Sequence, residues 1–90
     1  MSRILKRRSL VIAGSRTSVS LEDVFWQHFK QMAKDRGMSA NALALDIDLQ
    51  RLTAPEKQNL SSAIRCEVVA DLERKLEAAT RWADKIGEAA

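Results

Sequence analysis

The sequence predicts a mainly α-helical chain with one short β-strand near its N-terminus. Three observations lead there. The chain has three Gly, one Pro and no Tyr in 90 residues, which is little turn punctuation and few strand formers. Apolar side chains recur at helical spacing from Phe25 onward. In Arg16-Thr17-Ser18-Val19-Ser20-Leu21 polar and less polar side chains alternate instead, which is the period of a strand.

That alternation sends Thr17, Val19 and Leu21 to one face and Arg16, Ser18 and Ser20 to the other. A single strand leaves its backbone donors and acceptors unpaired, and a second copy of the chain is the simplest partner. Upstream, Leu10-Val11-Ile12-Ala13 is a second extended candidate. A turn at Gly14-Ser15 would fold it into a hairpin with the strand. In the alternative, the same residues pack on the domain as an irregular segment.

The first helix is predicted over residues 21–36. Ser20 followed by Asp23 resembles a capping box, and Gly37 is a natural stop. Phe25, Phe29, Met32 and Ala33 mark its buried face, with Trp26 alongside. Ser39 is a good N-cap for a second helix that ends near Thr53, with Leu43, Ile47 and Leu52 inside. A third helix opens either at Thr53-Ala54-Pro55-Glu56 or at Asn59. Its stripe of Leu60, Ile64, Val68, Leu72, Leu76, Ala79, Ala83 and Ile86 reaches about residue 87, roughly 40 Å at the helical rise. Trp82 lies near that stripe. The resulting organisation is a basic N-terminal arm at residues 1–8, a core at 9–53 and a C-terminal helical extension at 54–90.

Composition narrows the function. Residues 1–16 hold Arg3, Lys6, Arg7, Arg8 and Arg16 and no acid, whereas the remainder carries ten basic and twelve acidic residues. Positive charge is therefore concentrated beside the strand, as expected of a segment that meets a polyanion. No apolar run approaches the ~20 residues of a membrane span, and the basic N-terminus lacks the apolar stretch of a signal peptide. We expect a soluble, cytoplasmic protein. Cys66 is the single cysteine and His28 the single histidine, so neither a disulfide within the chain nor a metal cluster is expected. Cys66 reads as a small core or interface residue. Asp46 and Asp48 are too close in sequence to face each other on a helix. Ser61-Ser62 has no base arrangement beside it. The expectation is a non-enzyme that needs no cofactor or metal.

The strand, helix, Gly turn and second helix together resemble the ribbon-helix-helix family of DNA-binding proteins. The resemblance is carried by residues 16–21, the helix over 22–36, the turn Arg36-Gly37-Met38-Ser39 and the helix from Ala40. The stretch over 8–22, Phe25-Trp26 and Asn59-Leu60-Ser61-Ser62-Ala63-Ile64-Arg65 look closer to a small, mostly uncharacterised bacterial subfamily. The likeness spans about residues 6–75. It implies an intertwined homodimer with one strand from each chain, here extended by a long additional C-terminal helix. It also implies a transcriptional regulator that inserts a two-stranded antiparallel ribbon in the major groove of double-stranded DNA. Base contacts would then fall to Arg16, Ser18 and Ser20, since Arg and hydroxyl groups can bond base edges. The family's phosphate anchor at the start of the second helix maps to Ser39, Ala40 and Asn41, where free N–H groups favour an anion. Lys6, Arg7 and Arg8 would add sequence-independent phosphate attraction. A second reading is a protein-interaction or antitoxin-like module. In it, residues 60–90 dock a protein partner or build a higher oligomer.

Overall fold

The computed structural model describes residues 3–89; residues 1, 2 and 90, at the ends of the expected arm and extension, lie outside it. Two strands, β1 (Leu5–Ile12) and β2 (Ser15–Glu22), precede three helices, α1 (Asp23–Asp35), α2 (Ala40–Thr53) and α3 (Leu60–Ala89). The expectation of one strand is therefore corrected. β1 pairs antiparallel with β2 inside the same chain, from Leu5 opposite Glu22 to Ile12 opposite Ser15. The backbone of residues 16–21 finds its partner in β1, and no second copy is needed to pair it. The strand begins at Leu5, within the stretch expected as an arm.

The turn also differs from the expected Gly14-Ser15. It consists of Ala13 and Gly14, both with positive φ, at 50° and 80°. Two left-handed residues in a two-residue loop match the twist of the strands they join. Gly14 adopts this conformation freely, whereas Ala13 does so against its Cβ.

Each hairpin face has its own task. Leu10, Ile12, Val19 and Leu21 are buried and Thr17 is half-buried, as alternation predicted for 17, 19 and 21. They close over Phe29, Met32 and Ala33 of α1, Leu43, Ala44 and Ile47 of α2, and Ala63, Ile64 and Val68 of α3. β1 lies mainly along α2, and β2 along α1 and α3. The hairpin is thus one layer and the helices the other, with a single core between them.

Helix ends follow local chemistry. At the end of α1, Gly37 N–H donates to the Lys34 carbonyl at 3.0 Å and Met38 N–H to the Ala33 carbonyl at 2.9 Å. This is a Schellman closure, and it needs the positive φ of Gly37, 67°. The Ser39 hydroxyl accepts from Ala42 N–H at 3.0 Å and caps α2. Asn59 does the same for α3, accepting from Ser62 N–H at 2.8 Å; the helix does not open at Thr53. Ser20 is not the cap of α1. Glu22 occupies that position with no side-chain cap bond, because β2 runs two residues past Ser20. Cys66 is exposed rather than core, and Leu52, expected inside, is also exposed.

Candidate nucleic-acid interface

The hairpin's outward face is built by register. Odd residues of β1 and even residues of β2 point away from the core, so Arg7 lies opposite Ser20, Ser9 opposite Ser18 and Val11 opposite Arg16. With a two-residue turn closing on Ile12 and Ser15, these outward pairs are the ones that do not exchange ladder hydrogen bonds. Their side chains stand close together, and their own N–H and C=O groups point to the two edges of the ribbon.

The resulting face has a basic group near each end and hydroxyls between. Arg7 and Arg16 are separated by four residues along the ribbon, about 13 Å at the strand rise, which is close to the ~12 Å width of the DNA major groove. Neither has an ion-pair partner among the described residues, and both are exposed. Ser9 and Ser18 face each other between them. Val11, 45% exposed, adds a small apolar surface. Of the expected base-contacting residues, the fold places Arg16 and Ser18 fully on this face. Ser20 shares it but is half-buried. Its N–H donates to the Ser61 hydroxyl at 3.3 Å and its carbonyl accepts from Arg65 at 3.3 Å.

The basic residues of β1 divide. Arg7 faces outward, while Lys6 and Arg8 lie on the core side and reach Asp23 at the start of α1. Lys6 Nζ is 3.1 Å from the Asp23 carboxylate. The Arg8 guanidinium bonds the same carboxylate and stacks over the Trp26 ring, 5.6 Å from its centroid. Trp26 in turn stacks on Phe29 at 5.7 Å. The hydrogen bonds from Arg8 and then Lys6 hold the Asp23 carboxyl below its ordinary value. At this end of the ribbon the Arg65 guanidinium pairs with Glu22 at 3.1 Å. The Glu22 carboxyl also sits below its ordinary value, chiefly through a backbone hydrogen bond, with Arg65 adding to it.

The start of α2 adjoins the ribbon edge. Val11 N–H donates to Oδ1 of Asn41 at 3.0 Å. Ser39 and Asn41 are exposed and Ala40 is half-buried. Their first turn therefore lies beside β1 near the hairpin tip, where free helix N–H groups favour an anion. The fold brings Arg16, Ser18, Ser39, Ala40 and Asn41 toward one end of the molecule, and directs Lys6 and Arg8 elsewhere.

Sequence reading overlooked Ser9 and Val11 as members of this face. The signal was the alternation of Leu10 and Ile12 with Ser9 and Val11, which mirrors that of Thr17, Val19 and Leu21 across a short turn. Among the described residues no group of His, Cys, Asp and Glu is arranged to hold a metal ion, and no helix is long and apolar enough to cross a membrane.

Residues 5–72 match the family model described as a ribbon-helix-helix domain. No curated protein and no solved structure matches the chain.

Proposed function

The chain belongs to the ribbon-helix-helix family, and we propose that it is a homodimeric, sequence-specific DNA-binding protein that acts as a transcriptional regulator. The family in general binds DNA as dimers. The observation that carries the reading is the outward hairpin face, where Arg7 and Arg16, without an ion-pair partner among the described residues, flank the Ser9–Ser18 pair. A two-stranded ribbon fits the major groove. There Arg16 bonds a guanine edge, the serine hydroxyls bond neighbouring bases, and Val11 meets a thymine methyl. Arg7 and the first turn of α2 hold phosphates and set the register. In this reading each ribbon is made within one chain, and the homodimer supplies two of them. The protein works in the bacterial cytoplasm, is not an enzyme and needs no cofactor.

An unbiased selection of duplexes bound by the full chain tests this. The expected result is a short enriched sequence that loses definition at one position of each half-site when Arg16 is changed to Ala. Recovery of no enriched sequence sinks the specific reading.

A further inference from the structure

Past Val68 α3 projects from the core, tied to the end of α1 by the Arg36–Asp71 and Lys75–Asp35 ion pairs. Its last buried residues are Ala63, Ile64 and Val68, and every residue at 72–88 is exposed. The whole helix is about 45 Å long at 1.5 Å per residue, and the molecule is 54 Å in its longest dimension. The projecting part carries Val69, Leu72, Leu76, Ala79, Ala83 and Ile86. The steps between them are three, four, three, four and three. This is a heptad seam with period 3.5, the period that keeps one stripe facing a helix of the same kind as the two supercoil. Val69, Leu72, Leu76 and Ile86 are 44, 39, 69 and 53% exposed, and Trp82 beside the seam is 66% exposed.

We infer that α3 pairs with α3 of a second copy as an antiparallel two-helix coiled coil. The seam's own residues favour this occupant and orientation. In a parallel pair each residue meets its own equivalent, so Ala79 and Ala83 form two successive small layers and leave the seam underfilled. In the antiparallel pair, Val69 meets Ile86 of the partner subunit, Leu72 meets Ala83 of the partner subunit and Leu76 meets Ala79 of the partner subunit. Every alanine then receives a leucine, the alternation of large and small that fills a core. At the base of the projection Arg65, Cys66, Val69, Ala70 and Glu73 line a shallow hollow of about 320 Å³. The same register brings Ile86 of the partner subunit to this hollow. The exposed seam and Trp82 of two copies offer on the order of 1,200 Å², the lower edge of a stable interface. The pairing deepens the homodimer reading above.

The test uses the full chain without DNA: seam variants that associate as the wild type does overturn this pairing and leave the homodimeric DNA reading standing, whereas a monomeric wild type overturns both. Mass is measured by sedimentation across protein concentration, with circular dichroism as a check on folding. The wild type associates. Leu76→Glu and Ala83→Glu, two independent seam changes, each weaken association by roughly tenfold or more, while Arg81→Glu, off the seam, does not. In a Cys66→Ser background, a spin label on Gly87→Cys, beside the seam, reports orientation: roughly 30 Å between labels for the antiparallel pair and roughly 10 Å for a parallel one. A monomeric wild type, or seam variants that associate as it does, overturns the pairing; a 10 Å separation overturns the orientation.

Discussion

Arg8 turns inward from the ribbon and binds Asp23 in the first turn of α1, while its sequence neighbour Arg7 faces solvent on the opposite side. Two adjacent arginines thus belong to different parts of the molecule. Arg8→Ala is expected to lower the melting temperature and to leave the salt dependence of DNA binding nearly unchanged. Arg7→Ala is expected to do the reverse, with the slope of log K against log salt for the dimer shallower by about 2, one contact from each protomer. Thermal denaturation and a salt titration of both variants separate the two roles.

The same pair sets a pH dependence. The Asp23 carboxyl is held below its ordinary 3.8 by Arg8 and then Lys6. A carboxyl depressed in the folded state binds its proton more weakly than in the unfolded chain. Its stabilising contribution is present above pH 3.8 and is lost as pH falls through the lower folded value. Lys75 behaves oppositely. Its hydrogen bonds to Asp35 and Asp71 raise it above 10.5, so its contribution holds below pH 10.5 and is lost as pH rises through the folded value. Chemical denaturation from pH 2 to 12 is expected to show a shallower acid limb in Asp23→Asn and a shallower alkaline limb in Lys75→Met.

The hairpin tip offers an opposed pair of substitutions. Ala13 holds a φ of 50° and Gly14 one of 80°, with open space where a Gly14 Cβ would point. Gly14→Ala is therefore a test of backbone conformation alone, and is expected to destabilise by about 1 kcal/mol. Ala13→Gly relieves strain at some entropic cost, for a net gain of about 0.5 kcal/mol. Urea denaturation that moves both midpoints in the same direction contradicts this account of the turn.

Ser39 caps α2 through a 3.0 Å bond from Ala42 N–H. Ser39→Ala is expected to cost about 1 kcal/mol, and Ser39→Asp to keep most of the stability. Ser39→Asp also brings a negative charge to the helix end proposed to meet phosphate, so it is expected to weaken DNA binding more than Ser39→Ala does. Equal DNA affinities for the two variants would remove this turn from the interface.

Much of this fold could be read from local residue chemistry. Ser39 and Thr53 bound α2 as expected, Gly37 stops α1, and Val19 and Leu21 face inward. β1 was harder to see because Lys6 and Arg8 stand on its core side. Their charge breaks the apolar alternation there, and only Asp23, fifteen or more residues away, makes those positions tolerable. The turn was obscured because Ala stands where Asn or Asp usually signals a left-handed pair. Ser20 was ambiguous for a physical reason: a serine three residues before an acid suits a cap, yet here its backbone N–H donates to Ser61 and its carbonyl accepts from Arg65 at the sheet edge. Half of the candidate face, Arg16, Ser18 and Ser20, was legible in the alternation of β2 alone. Ser9 and Val11 required the pairing of β1 with β2.

The most direct measurement is the affinity of the wild type and of Arg16→Ala for one selected duplex between 50 and 200 mM salt. The expected result is wild-type binding that weakens steeply with salt, and a variant that loses roughly tenfold or more for that duplex. The contrary result is an affinity that neither added salt nor Arg16→Ala changes.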